Sequence, residues 1–364
     1  MASIEYWLWL ANGLGACAGN ALRVLEYFQS PIELKMALGS MELSEFLSPA
    51  QIRALKSTCP EDFVARIEDC ARRKIQIVTW EQKEYPAQLK EIDSTPPVLY
   101  YRGDLTAATA PLIFALVGTR RPSAYGVEVM RQLTTDLAKA GVVIVSGMAD
   151  GLDGEAHQAA LRNGMPTIAC LAFGHERCYP SQNRMLKSTI EKQGLTLSEY
   201  PPGLEIQKSF FLQRNRLIVG LSRGICVVEA RESSGTMNQV RHALDFGRDV
   251  FSVPGSIFSP LCAGTNRLLQ EGAHLVRNAD DILRFYGLER VSALPKETVD
   301  APAISISPMA QRIYDVLTCQ PLTLAQICDA ADMPSAQTMA ALTELELAGL
   351  SCQMAGRQFI RKGS

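Results

Sequence analysis

The chain has 364 residues, of which 47% are hydrophobic and 20% are charged, and its formal net charge is −2 at pH 7. This length predicts two or three domains with full-sized cores, and the composition is typical of a soluble globular protein. No apolar stretch approaches the roughly 18 residues that span a bilayer, and no basic residue precedes the first apolar run, so we expect neither a membrane anchor nor a signal peptide.

The cysteine pattern indicates a reducing compartment. Ten cysteines are scattered along the chain without a Cys-x-x-Cys pair. Most lie in apolar runs, as Cys170 and Cys226 do, which is typical of reduced core thiols. We therefore expect a cytoplasmic protein with no bound metal and no cofactor.

The first 73 residues predict a small helical domain. Apolar side chains follow a helical period, and Gly13-Leu14-Gly15 is expected to form a turn between two short helices. Such a turn can present backbone amides to a phosphate, as in helix-hairpin-helix domains, but a tight turn in a helical bundle needs the same glycines.

Residues 74–290 predict a Rossmann-like, doubly wound, mostly parallel α/β domain. Continuous apolar runs alternate with helical patterns, as expected for strands covered on both faces. Ligands of such sheets bind at the carboxyl ends of the strands. The expected strands lie at 75–79, 98–101, 112–117, 142–145, 166–172, 224–228 and 249–253, and the expected helices lie at 126–140 and 155–163.

Residues 291–306 predict a linker, and residues 307–364 predict a winged helix. The latter segment shows three helical patterns (309–318, 323–331 with Thr323 as N-cap, and 335–348) followed by two strands around Ala355-Gly356. It carries four basic and five acidic residues, which argues against DNA reading by its third helix.

Positive charge is concentrated in the middle of the chain. Residues 110–260 carry 16 basic and 13 acidic side chains, whereas residues 1–109 carry 11 and 14 and residues 261–364 carry 9 and 11. Any nucleic-acid site is therefore expected as a local groove in the middle block.

The first candidate site is Gly118-Thr119-Arg120, which follows an apolar strand. A glycine there permits close approach of a ligand, the next helix start offers amides, and Arg120 offers a forked charge, so phosphate is the expected guest. The alternative is a structural turn with a solvated arginine. The pattern is neither a dinucleotide fingerprint nor a Walker A loop.

Ser146 and Gly147 end the next strand, and Asp153 is expected to cap the helix that follows. His157 could serve as a general base, although a buried, hydrogen-bonded histidine is the alternative. Glu229 and Ser234-Gly235-Thr236 have no accompanying His-Asp pair or metal cluster, so we expect no enzyme.

The stretch from Phe211 to Ser222 is expected to present positive charge from the rim of a core. Together with Lys208, it combines cations for phosphates with an aromatic face for a base, which is the chemistry of single-strand binding. Arg214 and Arg216 flank Asn215 and would point to one side together if the stretch were extended. The alternative is that one of these arginines pairs with Glu199 or Glu229 inside the fold.

Many motifs of the chain, in this order, resemble the bacterial DNA-processing protein family DprA, also called Smf, over about residues 70–285. They are Gly118-Thr119-Arg120, Ser146-Gly147, Gly151-Leu152-Asp153, Ala156-His157, Tyr179-Pro180, Ser198-Glu199, Phe211-x-x-Arg214-Asn215-Arg216, Val228-Glu229-Ala230, Ser234-Gly235-Thr236, Pro254-Gly255 and Gly264-Thr265-Asn266. Leu212 departs from the family's usual proline, and Met237 to Val240 replace a run of small residues.

The resemblance implies a non-enzymatic single-stranded-DNA-binding protein of natural transformation. Members dimerise through the Rossmann-like domain, protect incoming strands and load the recombinase RecA, and often carry a SAM-like N-terminal domain and a winged helix. By position, Gly118, Thr119 and Arg120 would hold a phosphate, Ser146 and Gly147 would line the pocket, Lys208 and Phe211 would contact backbone and base, and Arg214, Asn215 and Arg216 would shape the wall.

Two other functions fit parts of the sequence. A phosphoribohydrolase of the cytokinin-activating type has a similar core, but its Pro-Gly-Gly-x-Gly-Thr loop is not reproduced, because Ser256 follows Pro254-Gly255. A winged-helix regulator with a sensor domain is supported only by the C-terminal segment, whose charge speaks against it.

Overall fold

The computed structural model describes residues 2–38, 43–288, 306–318, 321–354 and 358–361. The chain divides into two compact units, Met1–Arg290 and Val291–Ser364. The expected linker at 291–306 lies outside the described residues apart from Ile306, and so does the expected turn at Ala355-Gly356. The predicted boundary between residues 73 and 74 stays a prediction.

The N-terminal part of the first unit is helical. Ser30 and Ser48 accept hydrogen bonds from the first turns of the third and fourth helices, and a proline follows each serine. Trp7 and Trp9 are fully buried in a core that includes Val98 from the adjoining sheet. The helices are α1 (Ile4–Leu14), α2 (Ala21–Phe28), α3 (Pro31–Ala37), α4 (Pro49–Lys56) and α5 (Val64–Arg72).

The expected turn at Gly13 is wrong, because α1 continues through Leu14. Gly13 lies inside the helix, where a β-carbon would overlap the Leu55 side chain. Close packing against α4 therefore explains why position 13 is a glycine. The turn begins only at Gly15, whose φ of +79° suits glycine.

A nine-stranded sheet forms the centre of the first unit, with the order β1-β2-β6-β5-β4-β3-β7-β8-β9. In this order, all neighbouring strands from β6 through to β9 are parallel. At the other edge, β2 pairs antiparallel with β6, and β1 pairs antiparallel with β2. The strands are β1 (Gln76–Thr79), β2 (Val98–Gly103), β3 (Ile113–Val117), β4 (Val143–Ser146), β5 (Thr167–Leu171), β6 (Leu195–Ser198), β7 (Gly224–Val227), β8 (Asp249–Ser252) and β9 (His274–Leu275).

Helices cover both faces of this sheet and bury two separate apolar layers. The expected mostly parallel α/β fold is therefore confirmed. The helices are α6 (Ala124–Lys139), α7 (Leu152–Arg162), α8 (Arg184–Gln193), α9 (Lys208–Leu221), α10 (Gly235–Asp245), α11 (Ala263–Gln270) and α12 (Ala279–Phe285), and short 3-10 segments occur at Pro60–Phe63, Ala87–Glu91, Leu105–Thr109 and Ser181–Asn183.

The strand order places a crevice at the centre of the sheet. From β3 the chain moves through β4 and β5 to one side, and it later returns to place β7 on the other side of β3. The loop after β3 leads to β4 on one side and the loop after β7 leads to β8 on the other, so these two loops diverge at this reversal. Open α/β sheets bind their ligands at such a switch point.

The second unit has the three helices and small sheet of a winged helix, as expected. Thr323 caps its second helix, and its hydroxyl accepts a hydrogen bond from the Gln326 amide. Ile313, Leu342 and Phe359 belong to one buried core. The elements are α13 (Pro308–Val316), β10 (Leu322–Thr323), α14 (Leu324–Ala331), α15 (Ser335–Leu347), β11 (Ser351–Met354) and β12 (Gln358–Arg361), with β12 central in the sheet.

Candidate nucleic-acid interface

An open groove of about 700 Å³ lies at the reversal of strand order, and we call it the arginine groove. Its walls come from the loops after β3, β4 and β7, from one face of α9, and from Leu261. Four arginines line it, namely Arg120, Arg121, Arg214 and Arg231, against one carboxylate, Asp153. The groove is therefore suited to an anionic chain.

The loop after β3 is held rigidly at the floor of the groove. The Thr119 amide donates to the Glu229 carbonyl at 2.8 Å, and the Leu152 amide donates to the Thr119 carbonyl at 3.2 Å. A β-carbon at Gly118 would overlap the Leu152 side chain. Gly118 and Thr119 are thus fixed in place while Arg120 is exposed, as the phosphate-binding hypothesis requires.

Glu229 is committed to holding this loop. Its carboxylate accepts hydrogen bonds from the Ser123 amide at 3.0 Å and the Ser123 hydroxyl at 2.5 Å. The Ser123 hydroxyl in turn accepts from the Gly126 amide and caps α6. Because Glu229 is 1% exposed and bonded in this way, it is placed as a structural carboxylate.

An aromatic and cationic cluster borders the groove. The Arg120 guanidinium lies 5.9 Å from the centre of the Phe211 ring, and that ring meets Tyr179 edge-on at 5.3 Å. Lys208 begins α9 and lies one turn before Phe211, so the two share a helix face. Among the described residues, Lys208 has no carboxylate partner. The cluster combines free cations with an accessible ring.

Arg214 forms the buried back wall of the groove. It is 4% exposed and donates to the carbonyls of Gly147, at 2.5 Å, and of Cys170. A β-carbon at Gly147 would lie 2.6 Å from Nη2 of Arg214 and 2.8 Å from Oδ2 of Asp153, so only glycine fits between them. Burial raises the pKa of Asp153, and the neighbouring Arg214 opposes that shift.

The other residues predicted for this region have mainly structural roles. Ser146 is fully buried and donates to the Leu116 carbonyl at 2.7 Å, beneath the groove. Asn215 lines the groove while its amide donates to Asn238 at 3.1 Å, which ties α9 to α10. Asp153 lies within the first turn of α7, and the N-cap that it was expected to provide is Gly151.

Arg214 and Arg216 do not point to one side together, because the stretch is helical and not extended. Both residues lie in α9, where positions two apart differ by about 200° around the axis, so they point in different directions. Arg216 is 1% exposed, and its Nη2 lies 2.6 Å from both carboxylate oxygens of Glu199. The alternative pairing with Glu199 is thus the one observed, and Arg216 does not line the groove.

His157 is a buried, hydrogen-bonded histidine. Its ring is fully buried, and Nδ1 lies 2.8 Å from the Thr167 hydroxyl. Burial lowers its pKa to about 3. The side chain is therefore neutral at physiological pH and lies inside the fold, and it does not line the groove.

Several groove residues were not predicted from the sequence. Arg121 follows Arg120 directly, and Arg231 comes shortly after the end of β7. A cation that follows the carboxyl end of a strand could have indicated from the sequence that Arg231 belongs to the site. Tyr179 belongs to a quoted motif without an assigned role. Within the described ranges, no cluster of metal-ligating side chains occurs, and no helix is long and apolar enough to cross a membrane.

Comparison with known sequences identifies relatives over most of the chain. Protein Smf of Synechocystis sp. is 32% identical over 329 residues, covering 81% of this chain and 82% of the relative. Protein Smf of Escherichia coli is 35% identical over 273 residues, covering 73% and 72%. DNA processing protein DprA of Streptococcus pneumoniae is 43% identical over 199 residues, covering 55% and 70%.

Solved structures with the same fold include two bacterial proteins. DNA processing protein A from Streptococcus pneumoniae aligns with a TM-score of 0.68 at 34% identity, covering 78% of this chain and 98% of that one. The protein of the same name from Helicobacter pylori aligns with a TM-score of 0.53 at 33% identity, covering 58% and 95%.

Family models match both units of the chain. The model described as DNA recombination-mediator protein A matches residues 76–287, and the DprA winged helix domain matches residues 297–357. These matches, with the relatives and the fold, show that the chain belongs to the DprA/Smf family of DNA recombination mediators.

Proposed function

We propose that this protein binds single-stranded DNA in the arginine groove, as a recombination mediator and not as an enzyme. The observation that carries the proposal is the combination of four arginines in one groove with the Phe211–Tyr179 pair beside it. The cations would bind the phosphates of the strand, and the aromatic ring would stack on its unpaired bases. The structure of the related Helicobacter pylori protein is described as giving insight into a single-stranded DNA binding mode of that protein.

The strand backbone is assigned to the cations and to one helix end. Arg120 and Lys208 bind phosphates, while Gly118 and Thr119 bring the backbone close to them. The N-terminus of α10 adds amides and a positive dipole end at Gly235 and Thr236, which line the groove. The Ser234 hydroxyl beside them is buried and has no hydrogen-bond partner among the residues that the structure describes, and a phosphate oxygen would satisfy it.

The base contact is assigned to Phe211. Its ring is only partly buried, and Tyr179 holds it edge-on. A base stacked on such a ring contributes about 1–3 kcal/mol and needs no particular sequence. Arg214, Asn215 and Gly147 form the wall that keeps these groups in position, whereas Ser146 and Arg216 are bonded to Leu116 and Glu199 inside the fold and do not line the groove.

A binding titration tests the proposal. Labelled single-stranded and duplex oligonucleotides of equal length are titrated with the full-length protein, and the change in fluorescence anisotropy is measured. We expect clear preference for the single strand, because a duplex cannot offer an unstacked base to Phe211. Equal or tighter binding of the duplex contradicts the proposal.

Loading of RecA, homodimerisation through the Rossmann-like domain and a cytoplasmic location complete the proposal. They are supported by family membership, and the location is also supported by nine free cysteines among the described residues. In the loading assay, the protein should speed the assembly of RecA on a strand that is already covered by single-strand-binding protein. Light scattering after size exclusion should give twice the chain mass.

The phosphoribohydrolase alternative is not favoured. Its Pro-Gly-Gly-x-Gly-Thr loop is not reproduced, because Ser256 follows Pro254-Gly255, and the carboxylate of Glu229 beyond the end of β7 is buried and bonded to Ser123. Incubation with AMP should therefore release no free adenine above a protein-free control.

A further inference from the structure

The loop after β8, which we call the Pro254–Cys262 loop, exposes two bulky apolar side chains at its tip. Ile257 is 84% exposed and Phe258 is 90% exposed. Adjacent apolar side chains that are both exposed to this degree indicate a contact surface. The resemblance and the groove geometry assign no role to either residue.

The loop holds this tip outward through a bonded frame. The Gly255 amide donates to Asn266 Oδ1 at 3.1 Å, and Asn266 Nδ2 donates to the Gly255 carbonyl at 3.0 Å. Two consecutive turns follow, with the Ser259 amide bonded to Ser256 and the Cys262 amide bonded to Ser259, each at 3.0 Å. The exposure of the tip is therefore a feature of the folded loop.

The loop borders the arginine groove. Leu261 lines the groove, and Phe258 lies three residues earlier, a separation that a chain spans in at most about 11 Å. The Gly264 amide after the loop donates to the Ala230 carbonyl at 2.9 Å, directly before Arg231. The apolar tip thus adjoins the part of the groove that Arg231 supplies with positive charge.

We propose that Ile257 and Phe258 form a second base-contact point for the DNA strand, separate from Phe211, and this inference rests on the proposed function. A strand whose phosphates follow the arginines past Arg231 brings its next bases to the tip, where the Phe258 ring offers a stacking face. Two side chains provide far less area than the roughly 800 Å² per partner of a stable dimer interface, which favours a base over a second copy of the chain.

The experiment compares two labelled probes of equal length, an oligothymidylate and an abasic strand that keeps the phosphates but lacks the bases. Full-length wild type, Phe258→Ala, the double variant Ile257→Ala with Phe258→Ala, and Phe258→Trp are titrated by anisotropy. Met36→Ala serves as the matched control, because this side chain is 72% exposed on α3 in the helical N-terminal part.

We expect Phe258→Ala to weaken oligothymidylate binding about fivefold or more, the double variant to weaken it further, and Phe258→Trp to restore it. Affinity for the abasic strand should stay within about twofold of wild type, as should both affinities of Met36→Ala.

Wild-type affinity of Phe258→Ala for oligothymidylate overturns the inference, and so does equal weakening on both probes. Dissociation of the double variant into smaller particles by sedimentation, with its base-dependent binding unchanged, would assign the tip to a protein interface instead. If wild type binds neither probe, the proposed function fails and the inference fails with it.

Discussion

The buried pair of Arg216 and Glu199 gives the sharpest prediction about which arginine supports the fold. The two side chains are 1% and 8% exposed, and both carboxylate oxygens lie 2.6 Å from the guanidinium. Glu199 raises the pKa of Arg216 above its ordinary value against the opposing effect of burial. Replacing Arg216 with methionine leaves the carboxylate buried without a cation, which costs about 3–5 kcal/mol.

Urea unfolding followed by circular dichroism measures this loss. The midpoint of Arg216→Met should fall by an amount equivalent to about 3–5 kcal/mol, whereas adding Glu199→Gln should recover much of it, because no uncompensated charge remains. The matched control is Arg73→Met, which removes an exposed arginine paired with the partly exposed Asp69 and should leave the unfolding midpoint almost unchanged.

The same variant separates stability from binding. Below its unfolding transition, Arg216→Met should bind single-stranded DNA within about twofold of wild type, because Arg216 does not line the groove. Wild-type stability of Arg216→Met, or loss of binding by a protein that keeps its fold, would refute the reasoning.

Three further predictions concern pH, packing and base contact. Burial lowers the pKa of His157 and His175 to about 3, so the unfolded chain binds more protons below about pH 6.5 and the unfolding midpoint should fall as the pH drops from 7 to 5. The variant His157→Gln should flatten that dependence. Gly147→Ala should lower both stability and DNA affinity, since its β-carbon would lie 2.6 Å from a guanidinium nitrogen, whereas Gly19→Ala, with open space around it, should do neither. Phe211→Ala should weaken oligothymidylate binding about fivefold or more and leave binding of an abasic strand almost unchanged.

The apolar strands were predictable because continuous burial leaves a simple pattern. Runs such as 112–117 and 224–228 correspond to β3 and β7, which are buried throughout. The β6 strand was not predicted, since Leu195-Thr-Leu-Ser198 mixes apolar and hydroxyl residues. The hydroxyl of Ser198 in this strand is buried but hydrogen-bonded, because it donates to the Phe173 carbonyl at 2.9 Å. Only the tertiary fold brings this partner to Ser198.

The candidate site was predictable where glycine and charge follow a strand end, as at Gly118 and Arg120. It was not predictable where the direction of a side chain depends on whether the stretch is helical or extended. In α9 a spacing of two residues separates Arg214 from Arg216, so one reaches the groove and the other a buried carboxylate. Which arginine reaches the groove depends on the face of the helix that it occupies. The short polar stretch beside β-branched residues did not show from the sequence that this segment is helical.

The most direct test of the central claim is the salt dependence of single-strand binding in wild type, Arg120→Ala and Lys208→Ala. The control is Lys139→Ala, because Lys139 does not line the groove and ends α6 about 22 Å along the helix from the end that follows Arg120 and Arg121. We predict that Arg120→Ala in the groove and Lys208→Ala beside it each bind about tenfold or more weakly and lose about 0.7 from the slope of log affinity against log salt, while the control matches wild type. Wild-type affinity and slope in both of these variants would contradict the assignment of the arginine groove to DNA.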